Sequence, residues 1–187
     1  MDRLLLSPAS QRGRDFGMIL RSLYDNGYAV EWRVINAGEY GQPQKRRTYI
    51  IAYHKSTKYF KEMKKLNLED IVLREGIFSR QFAVKEKVLG TNIVDISKSV
   101  YKDLADVSDN FQAQFYNAGV MCEGKIYTAK LESNCNEVYP LKKVRETSEV
   151  KEKYFLSEGK VEKFRYLKGS KKIPRKKPNG EPYMYSE

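Results

Sequence analysis

Four residues, Gln44, Lys45, Arg46 and Arg47, sit between a Gly/Pro turn and a β-branched, aromatic run in the stretch YGQPQKRRTYIIAY. An amide and three cations at the mouth of a strand offer donors to a carbonyl or an anion. A guanidinium does so with a planar fork and stays charged when partly buried. On an exposed loop tip the same charges are held at little cost. Facing a pocket, they need an anionic or carbonyl-bearing ligand. Both readings stay open on these residues alone.

A second concentration of charge lies near the C-terminus. From Lys160 to Lys177 there are nine Lys/Arg against one acid, Glu162, with Phe164, Tyr166, Tyr183 and Tyr185 among them or just after. Lys168-Gly169-Ser170-Lys171-Lys172 forms a flexible turn flanked by ammonium groups, and RKKPNGEPY resembles a loop tip carrying Arg175, Lys176 and Lys177. Lys168, Ser170, Lys171, Lys172, Arg175, Lys176 and Lys177 are therefore candidate phosphate contacts. The alternative is a solvated basic loop; the interleaved aromatics favour DNA or RNA.

The rest of the chemical inventory is thin. His54 is the sole histidine and ends an apolar run, with no triad or metal partners nearby. Cys122 and Cys135 lack CxxC spacing and a histidine, so neither zinc binding nor thiol catalysis is supported. There is no strand followed by GxGxxG and no P-loop. On its own residues the chain has no complete active site.

The elements that would position these residues follow from periodicity. Phe16, Ile19, Leu20 and Leu23 recur at helical spacing, with Asp15 in the first turn and Asn26-Gly27 as a stop. YAVEWRVI alternates, with Tyr28, Val30, Trp32 and Val34 on one face and Glu31 and Arg33 on the other, and predicts a strand. TYIIAY is apolar on both faces and predicts an internal strand. This helix–strand–loop–strand unit cannot bury its own faces and reads as one end of a larger α/β sheet whose remainder is absent. Beyond residue 54, KYFKEMKKLNLEDIV predicts a short helix and turn, FSRQFAVKEKV alternates like a strand, and NAGVMCEGKIYTAKL predicts a hairpin turning at Glu123-Gly124. Residues 140–169 read as short helices separated by turns.

Composition sets the outer bounds. At 187 residues, 41% hydrophobic and 12% aromatic, the chain can build a core of one domain or slightly more. The net charge is +11, of which residues 1–54 carry +3, residues 55–140 carry +1 and residues 141–187 carry +7. A polyanion is the natural partner. Two cysteines are too few for a disulfide framework. The three-leucine run in MDRLLLSPAS is short of a signal or membrane segment, so a cytoplasmic protein with no membrane partner is expected.

Several stretches together resemble the bacterial DNA (cytosine-5)-methyltransferases. DRLLLSPASQRGRDFGMIL is similar to the segment after that family's Glu-Asn-Val motif. YGQPQKRRTYIIAY resembles its Gln-x-Arg-x-Arg motif, and FYNAGVMCEGKIYTAKL, YPLKKV, EKYFL and YLKGSKKIPRKKPNGEPYMYSE resemble the target-recognition region of one branch. The similarity runs the length of the chain and is weakest around residues 55–105.

The resemblance implies a partial doubly wound, Rossmann-like α/β methyltransferase sheet in residues 1–54. An irregular α+β target-recognition domain, incomplete at its C-terminal end, would come next in residues 55–187. It implies double-stranded DNA as substrate, S-adenosyl-L-methionine as the parent enzyme's methyl donor, no metal, the remainder of the same polypeptide as a partner, and bacterial origin. A restriction enzyme paired with the parent is an expectation from the family. By the resemblance Gln44, Arg46 and Arg47 carry over as the residues that hold a flipped cytosine and its glutamate. Read without a gap, the second arginine position falls on Thr48; with a spacer one residue shorter, it falls on Arg47, the preferred alignment. The nucleophilic cysteine, the cofactor loop and the Glu-Asn-Val glutamate would lie upstream, so this piece alone is expected to be inactive. The competing reading is a free-standing, non-enzymatic nucleic-acid-binding protein.

Overall fold

A computed structural model describes residues 3–43, 45–135, 140–168, 172–177 and 180–186. The chain forms two compact units, Met1–Pro140 and Leu141–Glu187.

The first unit opens with a short helix α1 (Arg3–Leu6) and the amphipathic helix α2 (Arg14–Asp25). Helix α2 stops where the sequence predicts: Gly27 takes φ of +79° and its N–H donates to the Tyr24 carbonyl. Strand β1 (Tyr28–Asn36) comes next and turns back through a 3₁₀ turn at Ala37–Glu39 into β2 (Arg46–His54). Then come α3 (Lys58–Met63), α4 (Leu68–Asp70) running into a π-helical turn at Ile71–Glu75, α5 (Ile77–Gln81), strand β3 (Thr91–Asp95), helix α6 (Leu104–Asn110), and strands β4 (Ala118–Cys122) and β5 (Lys125–Ala129). The five strands form one sheet in the order β2-β1-β4-β5-β3, every neighbour antiparallel.

The sheet is covered on both faces of its centre. On one side Phe16 and Leu20 of α2 meet Val30, Trp32, Met121 and Ile126, with Phe111 and Phe115 closing the cluster. Phe16 sets its ring edge-on to Trp32 and to Phe115, at 5.1 Å between ring centres in each case. On the other side Ala29, Val120 and Tyr127 pack against Phe60, Met63, Ile71 and Val72. Gly119 faces the Trp32 indole, and a Cβ there would clash with it. The β4–β5 hairpin turns at Glu123 and Gly124, with φ of +52° and +82°. Two consecutive positive φ values fit the right-handed strand twist, as the sequence predicts.

Three expectations change. The sheet partners of the β1–β2 hairpin are not all absent, because β4, far downstream in the chain, pairs with β1's second edge. TYIIAY is therefore an edge strand rather than an internal one: β1 is its only neighbour, and its other edge is open among the described residues. FSRQF turns as helix α5, not as a strand, and only Val84 bridges to Ser133. Its start is fixed by a distant residue, since the Glu31 carboxylate sits against Gly76 and the first-turn N–H groups of Ile77 and Phe78.

The second unit holds 3₁₀ turns at Leu141–Lys143 and Glu152–Tyr154, helix α7 (Glu158–Lys168) and an antiparallel hairpin of β6 (Lys172–Lys176) and β7 (Pro182–Ser186). The Lys177 ammonium meets the Glu181 carboxylate at 3.0 Å. Phe155, Phe164, Tyr166 and Leu167 stay exposed. Among the described residues no helix is long and apolar enough to cross a membrane.

Candidate functional site

The cation-loaded mouth of β2 lies at one end of the sheet. Beyond the pairing of Arg33 with Ala118, β1 makes one further bond to this neighbour, Val34 N–H to the Asn117 carbonyl, and then runs free of it. The gap opens a cleft of about 520 Å³ whose wall includes Arg33, Asn36, Tyr40, Arg46, Lys130 and Ser133. Asn36 fixes the rim: its Oδ1 accepts the Gly38 N–H at 3.2 Å, which sets the turn between the strands. Tyr40 accepts the Ser133 hydroxyl at 3.0 Å and meets the edge of Phe82, with ring centres 5.3 Å apart.

Strand register decides which motif residues meet. Asn36 pairs with Arg46, Ile35 with Arg47 and Val34 with Thr48. Side chains alternate along a strand, so Arg46 and Thr48 share the face of Val34 and Trp32, whereas Arg47 shares the face of Arg33 and Glu31. Arg46 lines the cleft. Arg47 is exposed and folds back on its own backbone, its guanidinium donating to the Arg46 carbonyl at 3.0 Å. The two adjacent arginines therefore do not converge here. Gln44 lies outside the described residues.

Sequence reading missed the charged pair behind the cleft. Glu31 and Arg33, read as a polar strand face, are 3% and 5% exposed. The Arg33 guanidinium donates to the Val72 carbonyl at 3.2 Å, and its buried Nε has no partner among the described residues. Glu31 accepts the Tyr59 hydroxyl at 3.0 Å. Burial drives its carboxyl above the ordinary glutamate value of 4.5, and the Tyr59 hydroxyl and the N–H groups of α5 only partly offset it. Tyr53 packs its ring on Tyr59 at 4.4 Å with its hydroxyl buried. Two charges alternating in a strand whose neighbours are apolar was the available signal.

This carboxyl gives a pH prediction. Folding favours its protonated form, so its stabilisation is full below the unfolded value and is lost as pH rises through the folded one. Glu31→Gln should remove that fall, with urea midpoints at pH 4 to 8 showing a gap that opens above about 4.5 and then levels, the variant being the more stable. A parallel pair of pH curves would count against it.

The remaining candidates fall away or stay apart. The Cys122 thiol is buried and pushed up to about 11 by desolvation, which makes it inert as a nucleophile at neutral pH. His54 bonds Ser56 at 2.8 Å beside Tyr28. No three His, Cys, Asp or Glu among the described residues gather as a metal site. In the second unit Lys176 and Lys177 are exposed. The backbones of Lys168, Lys172 and Arg175 lie in α7 and β6, and Ser170 and Lys171 fall outside the described residues.

The family profile of the C-5 cytosine-specific DNA methylases matches residues 5–184. The chain belongs to that family. It is 40% identical over 188 residues to the Type II methyltransferase M.Sau3AI of Staphylococcus aureus, across 100% of this chain and 45% of that protein. It is 36% identical over 64 residues to the Type II methyltransferase M.MthTI of Methanothermobacter thermautotrophicus, across 34% of this chain and 19% of that protein. The chain thus spans less than half the length of these methyltransferases. No solved structure matches it.

Proposed function

We propose that the chain is part of a DNA (cytosine-5)-methyltransferase, which moves a methyl group from S-adenosyl-L-methionine to C5 of a cytosine flipped out of a specific duplex sequence. In this reading residues 1–54 close the catalytic domain and residues 55–187 serve target recognition. The observation that carries it is Arg46, a guanidinium at the cleft mouth in the YGQPQKRR motif of a chain that matches the family along its length. Arg46 would donate to the cytosine O2, Arg47 on the opposite face to a phosphate, and Gln44 would support the base.

The open side of β2 supports a parent with more sheet. Tyr49 and Ile50 point to opposite faces of this strand and are 50% and 38% exposed. A nine-residue edge, apolar on both faces, is a pairing surface. The remainder of the polypeptide, carrying the doubly wound sheet, would occupy it. The cation-lined cleft is the wrong environment for a sulfonium, so the described residues do not fit the methyl donor and no step is assigned to it. Incubation of this chain alone with labelled S-adenosylmethionine and DNA should give no methyl transfer; transfer would overturn the assignment of the chemistry to residues elsewhere.

Duplex binding through the basic hairpin is tested by salt. Lys176→Ala should weaken binding about equally across DNA sequences and reduce the slope of log affinity against log salt by about 1. Lys177→Ala should do less, because Glu181 already holds that ammonium. An unchanged slope in Lys176→Ala would remove it from the DNA interface.

A further inference from the structure

We propose that Tyr40 is a positioning residue for Arg46, pinning the turn that delivers that guanidinium to the cleft. The role deepens the methyltransferase reading above and rests on it for what Arg46 does. Tyr40 stands six residues before Arg46 in YGQPQKRR and lines the same cleft. Past Val34, β1 runs free of β4, and a side chain spans the gap that the backbone leaves. The Tyr40 hydroxyl accepts the Ser133 hydroxyl at 3.0 Å, which ties the β1–β2 connection to the segment after β5. Its ring meets Phe82 edge-on, with the two planes at 79°.

Both landing points of Tyr40 are themselves held. Ser133 forms an antiparallel bridge with Val84. Beside it the Lys85 N–H donates to the Glu132 carbonyl at 3.0 Å and the Asn134 N–H to the Ala83 carbonyl at 2.9 Å. The Ser133 hydroxyl also accepts the Cys135 N–H at 3.1 Å. Phe82 follows α5 directly, its N–H donating to the Phe78 carbonyl at 2.8 Å. On the turn, the Ala37 carbonyl accepts the N–H groups of Tyr40 and Gln42 at 3.0 and 3.2 Å, while the Ala37 N–H donates to the Lys45 carbonyl at 3.1 Å. A displacement of Tyr40 is therefore passed through Ala37 to Lys45, the residue that leads into Arg46. Held by its own backbone bonds alone, such a turn could pivot on the ends of β1 and β2; the Ser133 bond and the Phe82 contact oppose that pivot. A misplacement of about 1 Å at a reacting site can cost about 10²-fold in rate, so a side chain that touches no substrate can still govern turnover.

The test is made in the proposed parent methyltransferase. Tyr40→Phe removes the acceptor and keeps the ring, and Ser133→Ala removes the donor. In Tyr40→Phe the Ser133 proton can turn to the Cys135 carbonyl at 3.3 Å, so no donor is stranded. Each variant should lower kcat about tenfold, with the KM for duplex and the urea midpoint nearly unchanged. The two together should lose no more than either alone. In an Arg46→Ala background Tyr40→Phe should lose nothing further, which separates positioning of Arg46 from a general structural role. Full turnover in Tyr40→Phe, or a tenfold loss that persists in the Arg46→Ala background, overturns the proposal; a loss of turnover in Arg46→Ala would then leave the methyltransferase reading standing. Arg46→Ala without a loss would remove the role given to Arg46 and the positioning role of Tyr40 with it.

Discussion

Arg46→Ala, made in the proposed parent methyltransferase, should lower kcat/KM about 10²–10³-fold with little change in duplex affinity. Three features set that size. Arg46 is the first residue of β2, with its backbone fixed by the pairing to Asn36. Its guanidinium lines the cleft with no hydrogen bond or ion pair from the described residues, so it is available to a ligand. In the proposed reading its donor fork would meet the flipped base where charge develops, and such donors act mainly on the transition state. Arg46→Lys separates fork from point charge: partial activity is expected, since an ammonium restores one donor but not the planar pair. Arg47→Ala is the internal contrast. On the opposite face, it should weaken DNA binding in a salt-dependent way and leave turnover of bound substrate nearly unchanged. Equal losses of turnover in both variants would mean that the two arginines converge in the complete enzyme.

That contrast was not available from the motif. The residues of YGQPQKRRTYIIAY announce donors at a strand mouth, and the resemblance assigns them a role. Which of them share a face depends on the pairing of Asn36 with Arg46, a register closed by the Ala37 N–H bond to the Lys45 carbonyl. Local signals carried α2, β1, β2 and the β4–β5 hairpin, because each is written in its own periodicity and turn residues. The pairing of β1 with β4 was hidden, since nothing in either strand names a partner so far along the chain. Glu31 and Arg33 were hidden for the same reason: alternation shows that they share a face, and only the distant helices that cover it make that face buried. The misread FSRQF shows the converse, a segment whose phenylalanines alternate like a strand while a remote carboxylate and Gly76 start a helix there.

Arg21→Met should cost the first unit about 3–5 kcal/mol, the largest stability loss expected from one substitution here, read as a lower urea midpoint. Arg21 is 1% exposed in the middle of α2. Its Nε donates to Asp25 at 2.9 Å, Nη1 to the carbonyls of Ile96 and Tyr101 at 3.1 and 2.9 Å, and Nη2 to the Lys102 carbonyl at 3.2 Å. One guanidinium therefore satisfies three carbonyls of the segment leading into α6, and methionine would fill the volume while leaving all three without a donor. Arg21→Lys should recover only part of the loss, because an ammonium cannot span the same fork. Asp25→Ala should cost about 1 kcal/mol or less, since that carboxylate is 30% exposed and its pairing is screened. Near-equal losses in Arg21→Met and Asp25→Ala would place the energy in the ion pair instead of the carbonyl clamp. Because α2 also packs on the β1 face that bears Trp32, loosening this clamp reaches the cleft through the core. Arg21→Met should therefore lose ligand binding in step with unfolding, whereas Arg46→Ala should lose activity in a fully folded protein.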